Sequence, residues 1–105
     1  MWPFSHRSKN AKAEAAVAVL GEAKAAVAER WLYFRKAMPF KDNVPLIDII
    51  TAFAMPMFEG LRRNLPPLRH APDAVLLVIV AKGIEQSGTH SRAEIEAALG
   101  TPLPD

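Results

Sequence analysis

Residues 10–37 hold no proline and a single glycine, Gly21, among many Ala, Glu, Lys and Arg. Nearly every position there favours helix. A helix of that span reaches about 42 Å, whereas a compact chain of 105 residues measures only about 34 Å across. The segment must therefore overhang its own body, break near Gly21, or lie against a second copy. The fold expected is all-α: a long N-terminal helix, two central hydrophobic helices and a short C-terminal helix in a helical bundle. Residues 1–9 read as a flexible N-terminal tail and residues 10–105 as a single helical domain.

Along the first helix, Val17, Leu20, Val27, Trp31, Phe34 and Met38 recur in three- and four-residue steps. Lys24 interrupts this stripe, which argues against an extended coiled coil. Ala16 and Ala23 beside it allow close backbone approach. The bulky half, with Trp31, Phe34 and Met38, is the half expected to enter the core. Trp2 and Phe4 are further anchors for a neighbouring subunit if the tail is ordered.

Pro39 ends this helix, because a residue before proline avoids the α region. Asp42 or Asn43 can cap the next helix, with Pro45 in its first turn. That helix is expected over residues 44–61. It is apolar on several sides, with polar Asp48, Thr51, Glu59 and Arg62 on a narrow stripe, so it should lie centrally. Pro56 inside it predicts a kink. The pair Pro66-Pro67 predicts an extended connector.

A third helix is expected from Pro72-Asp73 to Gly88. The β-branched run from Val75 to Val80 could suit a buried strand, but no second strand exists to pair with it. Ser91-Arg92-Ala93-Glu94 fits a capping box, opening a fourth helix over residues 92–99 that stops at Gly100. Short loops make the first three helices antiparallel neighbours.

Few chemical functions survive inspection. The chain has no Cys, which excludes disulfides and thiolate metal sites. His6, His70 and His90 lack the helical spacing of a metal site. The serines lack a strand–turn–helix elbow. Asp48 and Glu59 lie about 16 Å apart along one helix. No catalytic residue, cofactor-binding residue or metal ligand is assigned, and no cofactor is expected. Residues 87–91 lead into a helix N-terminus that could face an anion, yet they carry no phosphate-loop glycine pattern and read as a plain turn. Met55, Met57 and Phe58 could line a small apolar pocket between the second and third helices.

The net charge is +2, unevenly placed: residues 1–41 carry +5 and residues 69–105 carry −2. The third and fourth helices outline a degenerate helix-turn-helix, but Glu94 and Glu96 on the fourth would repel phosphates. Nucleic-acid contacts, if made, fall to Arg62, Arg63 and Arg69, with Arg7, Lys9 and Lys12 adding to them. The longest apolar run, residues 74–81, is far short of the roughly 18 residues that span a bilayer. No signal-peptide pattern is present, so no membrane partner and a cytoplasmic location are expected.

The functional expectation is a non-enzymatic helical protein–protein interaction module that self-associates as a homodimer through Val17, Leu20, Val27 and Trp31. Its alternatives are a small DNA-associated regulator and a small-molecule-binding helical protein. The last would show a closed, polar-lined pocket near Asp48, Glu59 or His70.

Overall fold

The computed structural model describes residues 3–38 and 43–104, with side chains from residue 17 onward. Among them lie four helices and no strand: α1 (Pro3–Ala37), α2 (Leu46–Asn64), α3 (Asp73–Gln86) and α4 (Arg92–Leu99), with a 3-10 turn at Pro66–Leu68 between α2 and α3. The chain is an all-α bundle with an elongated outline, 61 × 26 × 22 Å.

The length of α1 sets that outline. Its 35 residues run unbroken through Gly21 and start at Pro3, seven positions before the expected Asn10. Proline suits a first helical position, because its missing amide has no intrahelical partner there and its φ is already helical. Met1 and Trp2 lie outside the described residues, as does the side chain of Phe4. Arg35 and Lys36 occupy the last turn of α1, where cations complement the helix dipole. Pro39 and Asp42 also lie outside the described residues.

The core forms where α3 lies along α1. Ala23, Val27 and Trp31 from α1 meet Leu76, Ile79, Val80 and Ile84 from α3, all buried. The α1 stripe that packs is therefore Val19, Ala23, Val27, Trp31 and Phe34, shifted by a fraction of a turn from the one through Val17, Leu20 and Lys24. Alanine at position 23 fits because the backbones come close. A Cβ added to Gly83 would sit 2.5 Å from Val27 Cβ and 3.0 Å from the Lys24 carbonyl oxygen. Gly83 lies beside Val27, and the chain after α3 brings Thr89 to Trp31. The two helices thus run broadly in the same direction, as two helices each antiparallel to α2 would.

Helix α2 supplies Ile49, Ile50, Phe53, Ala54 and Leu61 to the core. Pro45 itself takes the N-cap position, and no side chain caps the helix. The Pro45 carbonyl accepts from the amides of Asp48 and Ile49, at 3.0 and 3.3 Å. The expected cap by Asn43 is thus not made. Pro56 does lie within α2, on an exposed side. Helix α2 continues three residues past the expected Leu61.

The Pro66-Pro67 pair is not extended. The proline φ is equally compatible with 3-10 geometry, and that geometry buries Leu68 in the core. Arg62 fixes the following segment. Its guanidinium donates to the Ala71 carbonyl from Nε at 3.2 Å and from Nη2 at 2.6 Å, and from Nη2 to Asp73 Oδ1 at 2.7 Å.

Helices α3 and α4 follow the sequence closely. Pro72 caps α3, whose interior is buried and helical rather than stranded. The capping box at Ser91 is complete: Ser91 Oγ accepts from the Glu94 amide at 3.1 Å, and Glu94 Oε1 accepts from the Ser91 amide at 3.0 Å. Gly100 ends α4 with a φ of 74°, a left-handed value natural to glycine. Beyond it the chain turns back and buries Leu103. Glu96 Oε2 accepts from the Leu103 amide at 2.7 Å, while Arg92 donates to the Leu103 carbonyl.

Candidate functional site: the groove between α1 and α2

Helix α3 lies along the Ala23–Trp31 stretch of α1, but α1 and α2 touch mainly where Trp31 and Phe34 meet Phe53, with ring centroids 5.1 and 5.3 Å apart. Between them opens a groove of about 660 Å³. Its α1 wall carries Glu22, Ala26, Arg30, Tyr33 and Ala37, spaced by four, four, three and four residues, which places them on one helix face. Its α2 wall carries Phe53, Pro56, Met57, Gly60 and Leu61. The lining is mainly apolar. Its charged members are Glu22, Arg30 and Arg63, and Arg63 is ion-paired with Glu59 at 2.8 Å.

Trp31 anchors this region from behind. It is fully buried, and its ring meets Phe53 edge-on at 5.1 Å and Phe34 in a stacked arrangement at 6.1 Å. The Arg35 guanidinium carbon stands 5.9 Å from the Trp31 ring centroid. The indole N–H donates to Thr89 Oγ1 at 2.8 Å, which meets the requirement of a buried indole for an acceptor.

The four residues expected to drive self-association divide in two. Val27 and Trp31 are wholly buried within the chain's own core, against α3 and α2, and present nothing to a partner. Helical spacing by itself cannot tell such an internal seam from an external one. Val17 is 69% exposed and Leu20 40% exposed.

Arg62, Arg63 and Arg69 do not form a common surface of free cations. Arg62 is tied to Ala71 and Asp73, Arg63 is paired with Glu59, and Arg69 is exposed. Helix α4 carries one cation, Arg92, which is engaged by Glu96 and the Leu103 carbonyl. At its N-terminus the Ser91 and Glu94 side chains occupy the positions an anion would take. Their hydrogen bonds, that to the Ser91 amide foremost, hold the Glu94 carboxyl below its ordinary pKa.

Asp48, Glu59 and His70 are all exposed, and none lines the groove. Met55 and Phe58 do line an apolar pocket of about 250 Å³ between α2 and α3, together with Ile47, Leu77 and Leu99. Met57 faces the opposite way, into the larger groove. Sequence reasoning missed the Glu22–Ala37 face because it is polar and alanine-rich, and so resembles solvent-facing helix. Among the described residues no group of three or more His, Asp or Glu could hold a metal ion. No described helix is long and apolar enough to cross a membrane.

Over the described residues, fold and groove together define a small four-helix domain with an overlong first helix and an open, mainly apolar cleft beside it. Comparison with protein-family models, curated proteins and solved structures finds no match in any of the three.

Proposed function

We propose that this chain is a non-enzymatic helical interaction module that pairs with a second copy of itself through α1. The observation that carries the reading is the continuity of α1 through Gly21. At 1.5 Å per residue the helix is about 52 Å long, twice the 26 Å and more than the 22 Å of the other two dimensions. Part of it therefore runs past the body that α2, α3 and α4 form. Isolated helix is marginal in water and gains most of its stability from packing. Exposed Val17 and Leu20 and the uncovered groove add apolar surface that a monomer leaves in water. A two-fold dimer is the commonest way to cover such surface.

The test is solution mass by multi-angle light scattering over a range of concentrations. The expected result is twice the 11.5 kDa of the chain, falling toward one chain on dilution. The Leu20→Glu variant should dissociate at higher concentration with its helical circular dichroism intact, since Leu20 is only partly buried. A wild-type chain that stays monomeric at millimolar concentration ends the reading.

A further inference from the structure

Resting on that reading, we propose that the groove between α1 and α2 is filled by α1 of a second copy, antiparallel to the first about a two-fold axis at Ala26. The face that forms the groove wall is self-complementary about that residue. In an antiparallel pair centred on Ala26, the residue four before it lies opposite the residue four after it. Glu22 of each copy then faces Arg30 of the other, and the pairing occurs twice by symmetry. Ala26 faces itself, and its small side chain lets the helix axes approach to about 8 Å. In the same register Val19 lies opposite Tyr33.

Charge selects this register over its neighbours. Centring the pair on Glu22 would set two carboxylates face to face, and centring it on Arg30 would set two guanidiniums face to face. Both arrangements are repulsive. Glu22 and Arg30 are exposed and Ala26 half-buried, so all three are accessible to a partner. The α1 wall of the groove spans residues 22–38, and the antiparallel register lays residues 14–30 of the other copy along it. That stretch is rich in alanine, narrow enough to enter a cleft between two helices. The register thereby covers the Ala26 face of each rod over residues 14–30, with Val17 on the opposite side of the helix and Leu20 about 120° round from Ala26.

Charge reversal and cross-linking test the register on the full chain. Glu22→Arg and Arg30→Glu should each raise the dimer dissociation constant about tenfold, because each places like charges opposite one another twice. The double variant should return to within about threefold of wild type. The chain has no native Cys, so Ala26→Cys, oxidised in a glutathione buffer, should form a disulfide-linked dimer, whereas Ala52→Cys on the exposed side of α2 should not. Filling of the groove should also leave the dimer unable to bind anilinonaphthalene sulfonate there. A dimer insensitive to both reversals, uncrosslinked at Ala26, or still binding the dye in the groove overturns this register while leaving self-association standing. A monomeric wild type removes both.

Discussion

The Trp31 indole nitrogen and the Thr89 hydroxyl, 58 residues apart, meet at 2.8 Å. That bond links the C-terminal part of the long helix to the turn between α3 and α4. The turn is internally knit as well. Ser87 Oγ donates to the Ile84 carbonyl at 2.5 Å and lies 3.0 Å from Thr89 Oγ1, which in turn lies 3.1 Å from His90 Nδ1. Trp31→Phe should keep the aromatic packing and lose the donor, costing about 1–2 kcal/mol in urea unfolding. Trp31→Ala should cost about 3–5 kcal/mol, because it empties a fully buried site. Near-equal losses for the two variants would mean that the hydrogen bond, rather than the ring, dominates.

Gly83→Ala sets two effects against each other. Alanine is the better helix former by about 1 kcal/mol. The added Cβ, however, would stand 2.5 Å from Val27 Cβ and 3.0 Å from the Lys24 carbonyl oxygen. Backbone cannot yield as a flexible side chain would, so the variant should be destabilised by about 1–3 kcal/mol. Combining it with Val27→Ala should recover little of that loss, because alanine keeps the Cβ and the Lys24 carbonyl is unchanged; a double-mutant cycle in thermal unfolding would measure the coupling. A more stable Gly83→Ala protein would mean that the helices sit farther apart.

Arg62 acts through geometry. Two of its nitrogens converge on the Ala71 carbonyl, and one of them also meets Asp73. Its side chain is 33% exposed, so water screens part of the interaction. Arg62→Ala should cost about 1 kcal/mol. Arg62→Lys should recover little of it, since an ammonium cannot reproduce the planar fork. Hydrogen exchange should speed up first in the connector around residues 66–72.

The Glu94 capping box carries a pH dependence of known sign. Its carboxyl titrates below its ordinary value because it accepts from Ser91. The ionised form is thus the one the fold stabilises. That contribution is whole above the unfolded glutamate pKa of about 4.3 and is lost as pH falls through the lower folded-state value. Relative to the intrinsic exchange rate, which itself slows in acid, the protection of the Ser91 and Glu94 amides should therefore fall on acidification through that window. Glu94→Gln should flatten this dependence; an unchanged acid profile would rule the box out as its source.

Much of this architecture was legible because local chemistry specified it. The Ser91 capping box, Gly100 and the span of α4 are short-range features, settled within a few residues. Helix α3 was legible despite its β-branched run, since nothing else in the chain could pair with a strand. The Pro66-Pro67 turn was not: a proline fixes its own φ and leaves ψ to whatever buries Leu68. The groove was hidden for a related reason. Glu22, Ala26 and Arg30 look like solvent-facing helix until α2 is seen to diverge from α1.

Sequence alone determined that this is a helical chain with a rod too long for its body, because helix propensity and proline placement act locally. Tertiary structure alone decided which side of that rod is core. Val27 and Trp31 share helical spacing with Val17 and Leu20, yet α3 covers the first pair far more completely. The close approach at Gly83, which only glycine permits, sets where that coverage lies.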